Sequence, residues 1–272
     1  MPKKGYRLGD SLETKATLQS SFYLINQITI CALAKLLRNE GMIKIGLIGG
    51  IGPESTVLYY RQIIHRVQDH KGKEFIPNLS IESLNAFEIF TFCKEKRFDD
   101  LARYVVGGIK SLADGGAQYV ALTGNTPNVV LEALKAQSPL PLISSIDATL
   151  SVAKKQGLKK VGLLGTIFTM TNTFFKAPFE HAGIEVVVPD AQQVAYIQSK
   201  IEAELEHGVV TNKTRDGFVQ IIRSMQDKDG IEKIILGCTE LPLLLNDGNS
   251  PVSCLDCVDI HVDAIVKKIL SR

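Results

Sequence analysis

The chain has 272 residues, enough to bury a sizeable core and to build two domains of ordinary size. Its 31 basic and 29 acidic residues leave a formal charge of +2, so no single-sign field points to nucleic acid or to an anionic membrane surface. Trp is absent and aromatics are few, which argues against base-stacking platforms, and the five scattered cysteines suit a reducing, cytoplasmic setting better than a disulfide framework.

Residues 1–41 stand apart from the rest. Phe22 to Leu37 reads as an amphipathic helix, interrupted by Asn26, Gln27 and Lys35 and so a poor membrane span. The basic start lacks a small-residue cleavage signature, which disfavours a secretory signal. Met42 is expected to be the original start, with 1–41 an extension or the product of an upstream start.

Beyond Met42, short runs rich in Ile, Val and Leu alternate with longer helical patterns. Strands are expected at 43–48, 78–83, 118–123, 141–144, 160–165, 184–188, 232–237 and 251–255. Helices are expected at 53–68, 97–114, 126–136, 147–156, 171–182, 191–207, 212–227, 239–246 and 257–271. Continuous apolar strands separated by helices predict an α/β fold with mostly parallel sheets built from βαβ units. Pro139-Leu-Pro141 reads as a domain crossing, giving a first domain of 42–141 plus 257–272 and a second of 142–256.

The chain also nearly repeats itself. Lys44-Ile-Gly-Leu-Ile-Gly-Gly-Ile51 returns as Lys160-Val-Gly-Leu-Leu-Gly-Thr-Ile167. The segment Gly116 to Asn125 returns as Gly230 to Thr239, which sets Cys238 opposite Gly124. Two similar halves predict a site between them, at the carboxyl ends of their strands.

Four clusters lie at such ends. Gly49-Gly-Ile-Gly-Pro-Glu54 offers close backbone approach, with Pro53 opening a helix whose N–H groups suit an anion; an ordinary tight turn is the competing reading. Gly237-Cys-Thr-Glu-Leu-Pro242 puts a thiol at an expected helix start, where the dipole favours the thiolate; a small buried cysteine is the alternative. Asn125 and Thr126 offer donors for a carboxylate at the mirrored position, and Thr166, Thr169 and Thr171 offer more, although capping uses the same residues. Cys254 and Cys257 lack the partners that a zinc site needs, so no metal is expected. His261 follows Asp256 at helical spacing, where packing on a helix face is an equal reading.

From Met42 to the end, the chain resembles the aspartate/glutamate racemase family of cofactor-independent amino-acid racemases. The resemblance rests on Ile45-Gly-Leu-Ile-Gly-Gly-Ile-Gly-Pro-Glu54, Asn125-Thr-Pro127, Leu163-Leu-Gly-Thr166, Gly237-Cys-Thr-Glu240 and Asp256 through His261, in that order. It implies two pseudo-symmetric Rossmann-like domains with the site in the cleft between them, in a homodimer, acting without cofactor on a small amino acid or dicarboxylate. It also implies a two-base mechanism, with the carbanion held by hydrogen bonds to its carboxylate. Carried over by position, the catalytic residue is Cys238; Thr123, the neighbour of the position where the family's other base stands, is the candidate second base, although strand alternation would point it away from the direction taken by 124. The substrate-binding set is Gly50, Ile51, Gly52, Gly124, Asn125, Thr126, Thr166, Thr169 and Thr239.

Three positions depart from the family pattern. Gly124 stands where the first cysteine is usual, Asn128 where a histidine often follows, and Val194-Ala-Tyr196 where some relatives carry a substrate-binding lysine. Three readings follow: a racemase using Cys238 with Thr123 or a water near Gly124, a one-thiol enzyme similar to arylmalonate decarboxylase, or a non-catalytic binder of small carboxylates. Restoring a cysteine at 124 is expected to raise racemisation if both positions face one substrate.

Overall fold

The computed structural model describes residues 42–271, within which Ile43–Ser271 forms one compact unit. The expectations placed on 1–41 lie outside the described residues.

Eight strands form among them, in two four-stranded sheets that are parallel throughout. The first sheet runs β2 (Leu79–Ser83), β1 (Ile45–Gly49), β3 (Tyr119–Leu122), β4 (Leu142–Ile143). The second runs β6 (Glu185–Val187), β5 (Lys160–Leu164), β7 (Lys233–Leu236), β8 (Cys254–Asp256). The repeat is therefore structural: β1 and β5 hold the same place, as do β3 and β7. Every residue of β1 is buried, as a strand covered on both faces requires. β4 pairs with β3, so the first sheet extends to Ile143, just past the expected crossing.

The helices are α1 (Pro53–Lys71), α2 (Ala86–Lys94), α3 (Phe98–Asp114), α4 (Leu131–Gln137), α5 (Ser145–Lys155), α6 (Ile167–Thr171), α7 (Lys176–His181), α8 (Ala191–Ala203), α9 (Asn212–Asp229) and α10 (Cys257–Leu270). α3 buries Leu101, Val105, Ile109 and Leu112 against the first sheet, each buried aliphatic side chain contributing about 1.5–3 kcal/mol. Phe218 and Ile222 of α9 anchor the second sheet's core with Val194, Ile197 and Ile201 of α8. α10 packs on α1 and α5. Arg66 of α1 pairs with Asp259 and Asp263 of α10.

Four expectations about helices are corrected. The helix expected at 171–182 is realised only as α7, Lys176–His181, and a separate short helix, α6, ends at Thr171 where it was expected to begin. The one at 126–136 opens as a 3-10 turn, Thr126–Val130, before α4. The one at 191–207 stops at Ala203 and is followed by a separate turn, Leu205–His207. The helix expected at 239–246 is a single 3-10 turn, Leu241–Leu243. α2 is an addition: Asn85 caps it by accepting a hydrogen bond from Phe87 N at 3.0 Å.

Candidate active site

At the end of β1 the chain turns through Gly50, whose φ is +81° and whose missing Cβ would stand 2.1 Å from the Leu84 carbonyl. Only glycine fits there. Thr56, in the first turn of α1, ties the loop down. Its hydroxyl accepts from Gly50 N at 3.0 Å and lies 3.0 Å from the Thr123 hydroxyl.

Thr123 is fully buried, and its hydroxyl donates to the Ile48 carbonyl at 3.1 Å. Ser55 donates to the Thr123 carbonyl. Thr123 thus clasps the end of β3 to β1 and α1. Gly124, one residue on, faces Ile51: a Cβ at 124 would lie 2.7 Å from the Ile51 carbonyl oxygen. The main chain of the glycine loop fills the space where a side chain at 124 would start. Gly52 is half-buried and Ile51 buried.

The second half repeats the plan with different side chains. Gly237 N donates to the Leu164 carbonyl at 2.7 Å, as Thr123 N does to Ile48 at 2.9 Å. Thr166 caps α6, accepting from Thr169 N at 3.4 Å, and the two hydroxyls are 3.2 Å apart. Thr169 is buried, whereas Thr166 keeps part of its surface open. Gln198 of α8 accepts from Ile167 N at 2.6 Å and donates to Glu202 at 2.7 Å, so α8 steadies this loop.

Cys238 follows directly. Its thiol donates to Glu240 Oε2 at 2.8 Å, and the Thr239 hydroxyl donates to Glu240 Oε1 at 2.7 Å. The residue keeps some exposed surface. Burial around the sulfur pushes the thiol well above its ordinary range, and the Glu240 charge and hydrogen bond push it further. Glu206 adds a smaller push in the same direction. This corrects the expectation of a thiolate favoured by a helix dipole. No helix starts at 239, and the neighbouring charges are negative. Both causes favour the protonated thiol, the form that donates to Glu240 Oε2.

Asn125 joins the two halves. Its Nδ2 donates to the Gly237 carbonyl at 2.8 Å, next to Cys238. Its Oδ1 accepts from the Ser145 hydroxyl at 2.8 Å and from Asn128 Nδ2 at 3.3 Å. One amide hydrogen of Asn125 remains beyond these bonds. Thr126 is half-buried at the start of its 3-10 turn. The strand ends therefore bring Cys238, Thr239, Asn125 and Gly124 into one region, whereas the Thr123 hydroxyl points into packing. Glu240 and Ser145 as direct partners of the predicted residues, and Gln198, were not foreseen. Spacing carries no signal for Ser145, which lies 20 residues from Asn125 in sequence.

At 194–196 no cation is offered. Val194 is buried in the core, and Tyr196 packs its ring against Phe218 of α9. Lys200, one turn on, pairs with Glu204 and lies 5.9 Å from the Tyr196 ring centre. Cys257 is buried, with Thr149 Oγ1 3.5 Å from its sulfur. Cys93, Cys238, Cys254 and Cys257 are all unpaired.

Residues 48–265 match the family described as Asp/Glu/hydantoin racemase. An aspartate racemase homologue from Pyrococcus horikoshii is 35% identical and superposes with a TM-score of 0.77, over 85% of this chain and 100% of that one. A broad-specificity amino-acid racemase from Bacillus subtilis is 23% identical over 78% of this chain and 92% of its own. A glutamate racemase from Aquifex pyrophilus is 27% identical over 59% of this chain. That match spans 61% of the Aquifex enzyme, less than two thirds of its length.

Proposed function

The chain belongs to the Asp/Glu/hydantoin racemase family, and we propose that it is a cofactor-independent racemase that moves the α-proton of a small amino acid through Cys238, with Glu240 as partner. The observation that carries this reading is the 2.8 Å contact from the Cys238 thiol to Glu240 Oε2. A thiol that rests protonated needs an acceptor before it can act as a base, and Glu240 is in place to be one.

In this reading Cys238 passes its proton to Glu240, and the thiolate then takes the α-proton. The C–H electron pair moves into the substrate carboxylate. Thr126 and the remaining amide hydrogen of Asn125 are the donors assigned to that charge. On the opposite face, positions 123 and 124 supply no free side-chain acid: Gly124 offers none, and the Thr123 hydroxyl is buried and already donates to Ile48. Water supplies the second proton there. The hydroxide it leaves is neutralised by the proton released from the Cys238–Glu240 pair, and the balance closes.

Gly50, Ile51, Gly52, Thr166, Thr169 and Thr239 are assigned to framing the substrate. With Val194 and Tyr196 turned to packing, the reading does not require an acidic side chain on the substrate. The enzyme is taken as a cytoplasmic homodimer; unpaired scattered cysteines support the compartment and the family resemblance supports the assembly.

A second reading, proton exchange on one face without inversion, is favoured by the crowding of Gly124 against Ile51. Incubating a panel of L-amino acids in D₂O separates the two. Loss of the α-proton signal with formation of the D-isomer supports racemisation, and loss with retained configuration supports exchange on one face. If no amino acid loses its α-proton, both fall.

A further inference from the structure

His261 is 1% exposed and takes no part in the proton transfer above. Its Nε2 lies 2.8 Å from the Ile143 carbonyl and its Nδ1 2.9 Å from the Tyr59 hydroxyl. A carbonyl can only accept, so Nε2 carries the proton and Nδ1 accepts from Tyr59. Ile143 ends β4. The next residue, Ser144, caps α5, accepting from Asp147 N at 3.2 Å. The one after it, Ser145, is 3% exposed and donates to Asn125 Oδ1. Asn125 in turn donates to the carbonyl of Gly237, the residue joined to Cys238. Four hydrogen bonds, with the chain from Ile143 to Ser145 between the second and the third, thus connect α1 and α10 to the peptide that carries the thiol.

We propose that His261 and Ser145 are positioning residues for the proton transfer: His261 holds the β4–α5 crossover, and through it Ser145 fixes the Asn125 amide across the cleft against Gly237. This rests on the assignment of Cys238 as the proton-transfer group. The orientation of the Asn125 amide is what makes Ser145 matter. With Oδ1 against the Ser145 hydroxyl, Nδ2 faces the Gly237 carbonyl. A flipped amide would set two oxygens against each other and release the Gly237–Cys238 peptide. Asn128 also donates to Oδ1, but at 3.3 Å it is the longer contact. His261 acts one step further out. The carbonyl it holds is two residues from Ser145, so losing that bond frees the start of α5 to shift. Catalysis is sensitive to displacements of this size, because reacting groups must be held in near-attack geometry.

The test compares Ser145→Ala, His261→Phe and His261→Gln with wild type and Cys238→Ala, by steady-state α-proton exchange and by the pH profile of Cys238 alkylation with iodoacetamide. Ser145→Ala removes one hydroxyl and leaves the core intact, so it remains informative if His261→Phe does not fold. We expect Ser145→Ala and His261→Phe to lower kcat about five- to tenfold with KM changed less, the loss of roughly one hydrogen bond's worth of positioning. Both should displace the alkylation profile. His261→Gln, whose amide can reach Ile143 as Nε2 does, should recover most of kcat. A merely structural role would lower thermal stability while leaving kcat and the alkylation profile of the folded protein unchanged, and that result overturns the proposal. If Ser145→Ala keeps full kcat while Cys238→Ala abolishes exchange, the relay is wrong and the site stands. If Cys238→Ala keeps full exchange, the site assignment fails and the relay fails with it.

Discussion

Gly124 lies against the main chain of Ile51: a Cβ at 124 would stand 2.7 Å from the Ile51 carbonyl oxygen and 3.2 Å from the Ile51 Cβ. The position that repeats it, 238, carries the thiol. One half of a near-symmetric pair thus spends the equivalent space on backbone. A carbonyl cannot swing aside as a side-chain tip can, so any side chain at 124 must move the loop from Gly50 to Gly52.

This crowding argues against a gain in activity from a cysteine restored at 124. Gly124→Ala should cost about 1–3 kcal/mol through overpacking, and Gly124→Cys at least as much. At this size each kcal/mol corresponds to a fall of roughly 2–4 °C in melting temperature. Neither variant should exchange the α-proton faster than wild type. Thermal melts and exchange rates check this together; a Gly124→Cys protein of full stability and higher activity would contradict it.

The Cys238–Glu240 contact has its own consequence. Burial raises the thiol most, and the Glu240 charge and hydrogen bond add to it. Glu240→Gln removes the charge and keeps the burial, so the thiol should titrate lower than in wild type while staying above the ordinary range. Alkylation of Cys238 near pH 8, read by peptide mass, should therefore speed up. Turnover should fall by about ten- to a hundredfold, because the acceptor for the thiol proton is gone. Faster alkylation with undiminished turnover would remove Glu240 from the mechanism.

Acid stability should report on His261. Burial, partly offset by the bond to Ile143, pushes its pKa down to about 4 from 6.5. The unfolded chain therefore binds a proton in this range that the folded protein refuses. The stabilisation from keeping His261 neutral is full above about pH 6.5 and is lost as pH falls towards 4, up to roughly 3 kcal/mol. Asp256, raised by burial, works the other way at low pH. Comparing wild type with His261→Gln cancels that contribution. Denaturant melts from pH 7 to pH 4 should show wild type losing more stability than the variant; parallel losses would show that His261 takes up its proton without penalty.

Much of this architecture was legible because the strands announce themselves. Runs such as Ile45 to Gly49 and Lys233 to Leu236 are short, apolar and bounded by glycine, and the repeat between halves made Cys238 and Asn125 stand out. α2 was not legible. Phe87, Ile89, Phe90 and Phe92 favour strands locally, and only the Asn85 cap and the burial of Ile89 make a helix of them. The helix expected at 239–246 failed for the opposite reason. Its leucines are helix formers, yet Leu241, Leu244 and Leu245 are buried in a turn, with Asn249 closing it through the Leu244 carbonyl at 3.1 Å. Within the site, residue types were readable but partners were not. Thr123 looked available beside Gly124, whereas folding turns its hydroxyl onto Ile48. The link from His261 to Ile143 spans 118 residues, a separation at which periodicity says nothing.

The most direct test is α-proton exchange in D₂O, followed by NMR with chiral analysis of the product, for wild type and Cys238→Ala side by side on one panel of amino acids. The account predicts exchange by wild type on at least one of them and a loss of about 10²- to 10⁴-fold in the variant, with its fold and melting behaviour preserved. Exchange that persists undiminished in Cys238→Ala would contradict it.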